Sequence, residues 1–102
     1  MSQTVEIRPR PEGVSLHPDE ERRYRERNPR SLELLQQTRR LIPTGHGGGM
    51  WYQLPYPVLL THGKGCRVWD VDGNEYLDLR IGDWVMILGH ANDRISEAVA
   101  AQ

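Results

Sequence analysis

Phenylalanine is missing from this chain of 102 residues, and lysine and cysteine each occur once, as Lys64 and Cys66. Leu, Ile and Val together supply 23 residues, just above the level of about 20% below which chains tend not to fold. A large dry core is therefore excluded, and the length suits one small domain. A single cysteine excludes a disulfide framework. No apolar run approaches the roughly 18 residues of a transmembrane helix. Strong positive charge is lacking too: the net charge is −1 and the pI about 6.4, whereas electrostatic nucleic-acid binders usually exceed a pI of about 9. Residues 1–13 lack the apolar centre of a secretory signal, and Glu6 and Glu12 count against a transit peptide. These absences predict a cytoplasmic protein with neither nucleic acid nor membrane as partner.

What is present is unevenly arranged. Residues 1–50 carry a net charge of +2 and residues 51–102 one of −3. Pro9, Pro11, Gly13 and Pro18 mark residues 1–18 as a flexible arm. Residues 19–43 read as a helical segment. Asp19 to Arg27 places its acids first and its arginines last, which suits the helix dipole. The pairs Glu21/Arg25 and Arg22/Glu26 are four apart. The interleaved acids favour a solvated helix over an RNA-binding patch. Asn28 and Pro29 are an N-cap and first-turn pair. They predict a second helix running to about Leu41, with Leu32, Leu35, Thr38 and Leu41 on one stripe. Residues 44–57 form a loop rich in glycine and then in aromatics. It lacks the Lys-Ser/Thr ending of a phosphate-binding loop, and His46 has no companion at ligand spacing.

Residues 58–102 are the most regular part. Val58–His62 reads as a strand, Gly63-Lys64-Gly65 as a turn and Cys66–Val71 as a second strand. Asp72-Gly73 is a strong hairpin signal leading to a third strand over Glu75–Leu79. Alternation puts Val68 and Asp70 on one face and Trp69 and Val71 on the other. Likewise it separates Tyr76 and Asp78 from Leu77 and Leu79. Such a meander is marginal unless something covers its apolar face. Asp70, Asp72 and Asp78 lack the closing bidentate Glu of a calcium loop. In a hairpin, Asp72 serves the turn and the other two serve strand ends. Asn92 or Asp93 caps a last helix with Ile95, Ala98, Val99 and Gln102 on one side. The chain stops within that helix without a stop signal, which predicts the front piece of a longer protein.

Three runs, with the helix holding Glu97-Ala98-Val99 after them, carry a resemblance. Leu41-Ile42-Pro43-Thr44-Gly45 is followed by Lys64-Gly65-Cys66-Arg67-Val68-Trp69-Asp70-Val71-Asp72-Gly73-Asn74-Glu75-Tyr76-Leu77-Asp78, and then by Ile87-Leu88-Gly89-His90-Ala91. Together they resemble the N-terminal segment of class III aminotransferases, nearest to the glutamate-1-semialdehyde 2,1-aminomutase and β-amino-acid aminotransferase branch. The resemblance spans about residues 24–102 and is most specific over 64–90.

It implies an α+β fragment: an N-terminal helix, a small antiparallel sheet and the start of a second helix, within the small domain of a fold-type I enzyme. It further implies a homodimer, pyridoxal phosphate as cofactor, small-molecule amino donors and acceptors, and transfer of an amino group. The family forms a Schiff base between the cofactor and a lysine. That lysine, the Asp on the pyridine nitrogen and the phosphate-binding turn all lie downstream of the matched region. Lys64 does not align with the lysine, so no catalytic or cofactor-binding residue is expected here, and the chain alone is expected to be inactive. Candidate substrate-binding residues are Gly48 and Trp51, in the loop where relatives often place an Arg, and Asp83 and Trp84, in the loop before Gly89-His90. For Trp84 the competing reading is core packing, and for Asp83 a turn cap. His90 reads as structural. A self-standing interaction module without enzymatic activity is the alternative.

Overall fold

The computed structural model describes residues 15–42 and 54–102. Most of the expected arm and most of the glycine-rich loop, with Gly48 and Trp51, lie outside the described residues. The chain divides into two compact units, Met1–Val58 and Leu59–Gln102.

The first unit contains α1 (Pro18–Arg27) and α2 (Pro29–Thr38). Pro18 opens α1 instead of closing an arm. At the first helical position its missing N–H is no loss, and the His17 ring accepts the Asp19 amide at 3.3 Å. The pair Glu21/Arg25 forms at 2.7 Å. Arg22 turns back to Asp19 at 2.9 Å instead of forward to Glu26. As surface pairs these contribute little.

Asn28 departs from its expected role. Its side chain makes no capping bond to α2. Instead its Nδ2 and its backbone N–H both donate to the Tyr24 carbonyl, at 2.9 and 3.0 Å, so it closes α1. Burial explains why it matters: Asn28, Ser31, Leu35 and Tyr56 are all essentially inaccessible. The Tyr56 hydroxyl donates to the Asn28 carbonyl at 3.1 Å, and the Tyr24 hydroxyl donates to the Tyr56 carbonyl. The two rings meet edge-on at 5.2 Å, and the Arg25 guanidinium lies over Tyr56. Buried polar groups are tolerated here because they bond one another. α2 ends at Thr38, short of Leu41, where the Thr38 hydroxyl and the Arg39 amide both bond the Leu35 carbonyl. Leu35 is buried as its stripe predicts, whereas Leu41 is exposed.

The second unit is an antiparallel meander of β1 (Leu60–Lys64), β2 (Arg67–Asp70) and β3 (Glu75–Leu77), followed by α3 (Asp93–Ala100). β1 lies two residues later than expected. The turn sits at Gly65-Cys66, where Gly65 has φ +58°. Gly63 and Lys64 therefore stay in the ladder, opposite Val68 and Arg67. The register slips between Leu60 and His62, and there the Thr61 hydroxyl bonds the Trp69 carbonyl. His62 stacks on its cross-strand partner Trp69 at 4.7 Å.

The hairpin turn is organised by Asp70. Its Oδ1 accepts the amides of Asp72 and Asn74, and its Oδ2 accepts Asn74 Nδ2 and the Tyr76 hydroxyl. The alternation is as expected, with Val68 and Asp70 buried on one face. That face is largely polar, and the leucines Leu77 and Leu79 are exposed. Asn92 caps α3, its Oδ1 accepting the Ile95 amide. Ile95 and Val99 on that helix are exposed too. Among the described residues no helix is long and apolar enough to cross a membrane.

Candidate functional site: the loop between Asp78 and His90

β3 hands the chain to Asp78, whose amide donates to the Cys66 carbonyl at 2.8 Å. From there an eleven-residue loop runs to His90. The return is fixed by the sheet: His90 and Gly65 exchange both backbone bonds, at 2.8 and 2.9 Å. The ends of the loop also meet through side chains. His90 Nε2 lies 2.6 Å from Asp78 Oδ2, with both side chains 16% exposed. An ionised carboxylate only accepts, so Nε2 carries the hydrogen. Asp78 Oδ1 accepts the amides of Arg80 and Ile81, each at 2.9 Å. The imidazole's hydrogen bond, above all, holds the Asp78 carboxyl below its usual range. Partial burial works against this, and the two amides reinforce it.

The interior of the loop is unusual. Ile81, Gly82, Asp83 and Trp84 have φ of 46°, 59°, 61° and 68°. Four successive left-handed residues are rare, because each L side chain there crowds its own backbone at about 1–2 kcal/mol, and a β-branched Ile is a true outlier. The Trp84 amide donates to the Arg80 carbonyl at 3.0 Å and the Met86 amide to Ile81 at 3.1 Å. Arg80 pairs with Asp83 at 2.6 Å.

Two of the four expected site residues thus fall side by side in this loop. Trp84 is 73% exposed, so its indole does not pack into the core of the described residues. Asp83 is also exposed, and its carboxylate faces Arg80. Val85, Ile87 and Leu88 continue an exposed apolar run, and Val85–Leu88 line an open groove with Ile95 of α3. Gly48 and Trp51 lie outside the described residues.

Lys64 is engaged elsewhere. Its Nζ donates to the Ala91 carbonyl at 2.8 Å and to the Asp93 carboxylate. It closes β1, outside the turn in which the sequence placed it. This exposed pair ties Lys64 to the start of α3. Among the described residues, no group of three potential metal ligands exists.

The sequence reading missed what Gly63 and Asp78 do. A Cβ at 63 would lie 2.7 Å from His90 Cγ, so only glycine leaves room for the ring. Gly63 was read as a turn residue, and only its place inside β1 marks the close approach.

Comparison with known proteins places this geometry. The family model "Aminotransferase class-III" matches residues 51–102. The chain is 40% identical over 77 residues to the 3-aminobutyryl-CoA aminotransferase of Cloacimonas acidaminovorans, covering 72% of this chain and 19% of that protein. Among solved structures, it resembles the β-phenylalanine aminotransferase of Variovorax paradoxus (TM-score 0.76, 28% identity, 81% of this chain and 19% of that one). It also resembles a glutamate-1-semialdehyde aminomutase of Pseudomonas aeruginosa PAO1 in complex with PMP (TM-score 0.75, 35% identity, 82% and 19%). The chain spans less than a fifth of the length of the curated relatives it matches.

Proposed function

The chain belongs to the class-III aminotransferase family, and from that premise we propose that it is the N-terminal part of a pyridoxal-phosphate-dependent aminotransferase or aminomutase. In that enzyme it supplies a loop on the substrate side and contacts to a second subunit of a cytoplasmic homodimer. The cofactor supplies the electron sink for moving an amino group between small molecules or within one. Its lysine comes from outside these residues.

The observation that carries this reading is the class-III aminotransferase match over residues 51–102. In this reading the chain contributes shape to the site. Trp84 offers an exposed flat ring against which a substrate can lie. Asp83 offers a carboxylate to an ammonium group, in exchange with Arg80. Gly48 and Trp51 complete the proposed substrate-binding set.

The test uses the whole protein that contains this chain. Borohydride reduction in the presence of pyridoxal phosphate, followed by peptide mass analysis, is expected to place the adduct on a lysine outside residues 1–102. An adduct confined to Lys64, or none, overturns the reading. Trp84→Ala in the same protein is expected to raise KM for the amino substrate about tenfold, the size of one lost aromatic contact of roughly 1.4 kcal/mol.

A further inference from the structure

We propose that Asp78 and His90 form a buckle that closes the loop of residues 79–89 and holds its left-handed run, 81–84, making them positioning residues for Asp83 and Trp84. Only the last clause rests on the function proposed above. The buckle itself is a statement about the loop.

A run of left-handed residues persists only where its surroundings over-determine it. Here one carboxylate does this at both ends. Asp78 Oδ1 gathers the Arg80 and Ile81 amides, which enter the run. Asp78 Oδ2 takes His90, which leaves it, 12 positions later. The imidazole cannot swing away easily. Its backbone is paired to Gly65 on both sides, and its ring lies against the bare Cα of Gly63. Other ties within the loop include three backbone bonds, from Trp84, Met86 and Gly89, and the solvent-exposed Arg80–Asp83 pair. Loop entry, loop exit and sheet edge therefore converge on the Asp78–His90 contact. A strained loop with closed ends presents its side chains in one direction at little further loss of entropy.

Amide hydrogen exchange on the full chain tests this residue by residue. The bonded amides of Trp84 and Met86 are the reporters, and the Asp70 amide of the β2–β3 hairpin is the control. Both His90→Ala and Asp78→Ala are expected to speed exchange at Trp84 and Met86 at least about tenfold, the loss of a hydrogen bond to a charged group. The hairpin should stay protected. His90→Gln, whose Nε2 can still donate to Asp78, is expected to restore most of the protection. Unchanged exchange at Trp84 and Met86 overturns the proposal. So does equal loss at the Asp70 amide, which would make the pair a general folding element. The readout needs neither substrate nor cofactor. Its failure would leave the proposed function standing, and failure of the trapping experiment would leave the buckle standing.

Discussion

Gly63 and His90 share one space: a methyl group on Gly63 would fall 2.7 Å from Cγ and 2.9 Å from Cβ of the His90 side chain. Gly63→Ala should therefore displace the ring and weaken its bond to Asp78. The expected loss is about 1–3 kcal/mol, typical of overpacking, read from denaturant unfolding. In a His90→Ala background the same change should cost far less. A double-mutant cycle with no coupling between the two sites would show that the space is not shared.

Asp70 predicts a pH dependence. Burial raises its pKa, but the bonds from Asn74, Tyr76 and Asp72 outweigh that and hold it below its ordinary value. Asp78 is lowered as well. A carboxylate with a depressed folded pKa contributes stability that is complete above the unfolded value of about 3.9 and is lost as pH falls through the folded value. The contribution of these two carboxylates to the stability of residues 59–102 should thus be complete near neutrality and be lost below about pH 4. Carboxyl chemical shifts of both residues should titrate below the usual range. Asp70→Asn should flatten the slope.

Ile81 is the β-branched member of the left-handed run. Ile81→Gly should raise stability by about 0.5–1 kcal/mol, because relief of the left-handed penalty exceeds the entropy glycine costs. A fall in the melting temperature would mean that packing by the Ile81 side chain outweighs its backbone strain.

Tyr56→Phe removes a hydroxyl that donates to the buried Asn28 carbonyl between α1 and α2. A loss of about 1–2 kcal/mol is expected, visible as faster amide exchange across residues 18–38. No change would mean that this carbonyl is satisfied otherwise.

Trp84→Ala separates folding from function. The indole is exposed, so the stability of the chain should change by less than about 0.5 kcal/mol. A larger loss by thermal unfolding would make Trp84 a packing residue of this unit.

Much of this molecule was legible in one dimension. The charge order of residues 19–27, Pro29 at a helix start and the Asp72-Gly73 hairpin signal act within a few residues, so α1, α2, the β2–β3 hairpin and α3 could be read directly. The family could be read as well, because each of its motifs lies in a short continuous run. Strand alternation separated Val68 and Asp70 from Trp69 correctly. Other features depend on contacts between distant positions. Asn28 closes α1 in a buried setting where Tyr56, 28 residues on, donates to its carbonyl. β1 extends through Lys64 because Gly65 pairs with His90 and so carries the turn beyond it. Asp78 became the centre of the loop, not a strand end, because His90 returns to it across twelve positions. Local propensity, charge order and motif were set by the sequence alone. Tertiary structure decided which polar groups satisfy each other once buried, since a buried donor takes whichever acceptor the fold brings within 3 Å or so, however far away it lies in the chain.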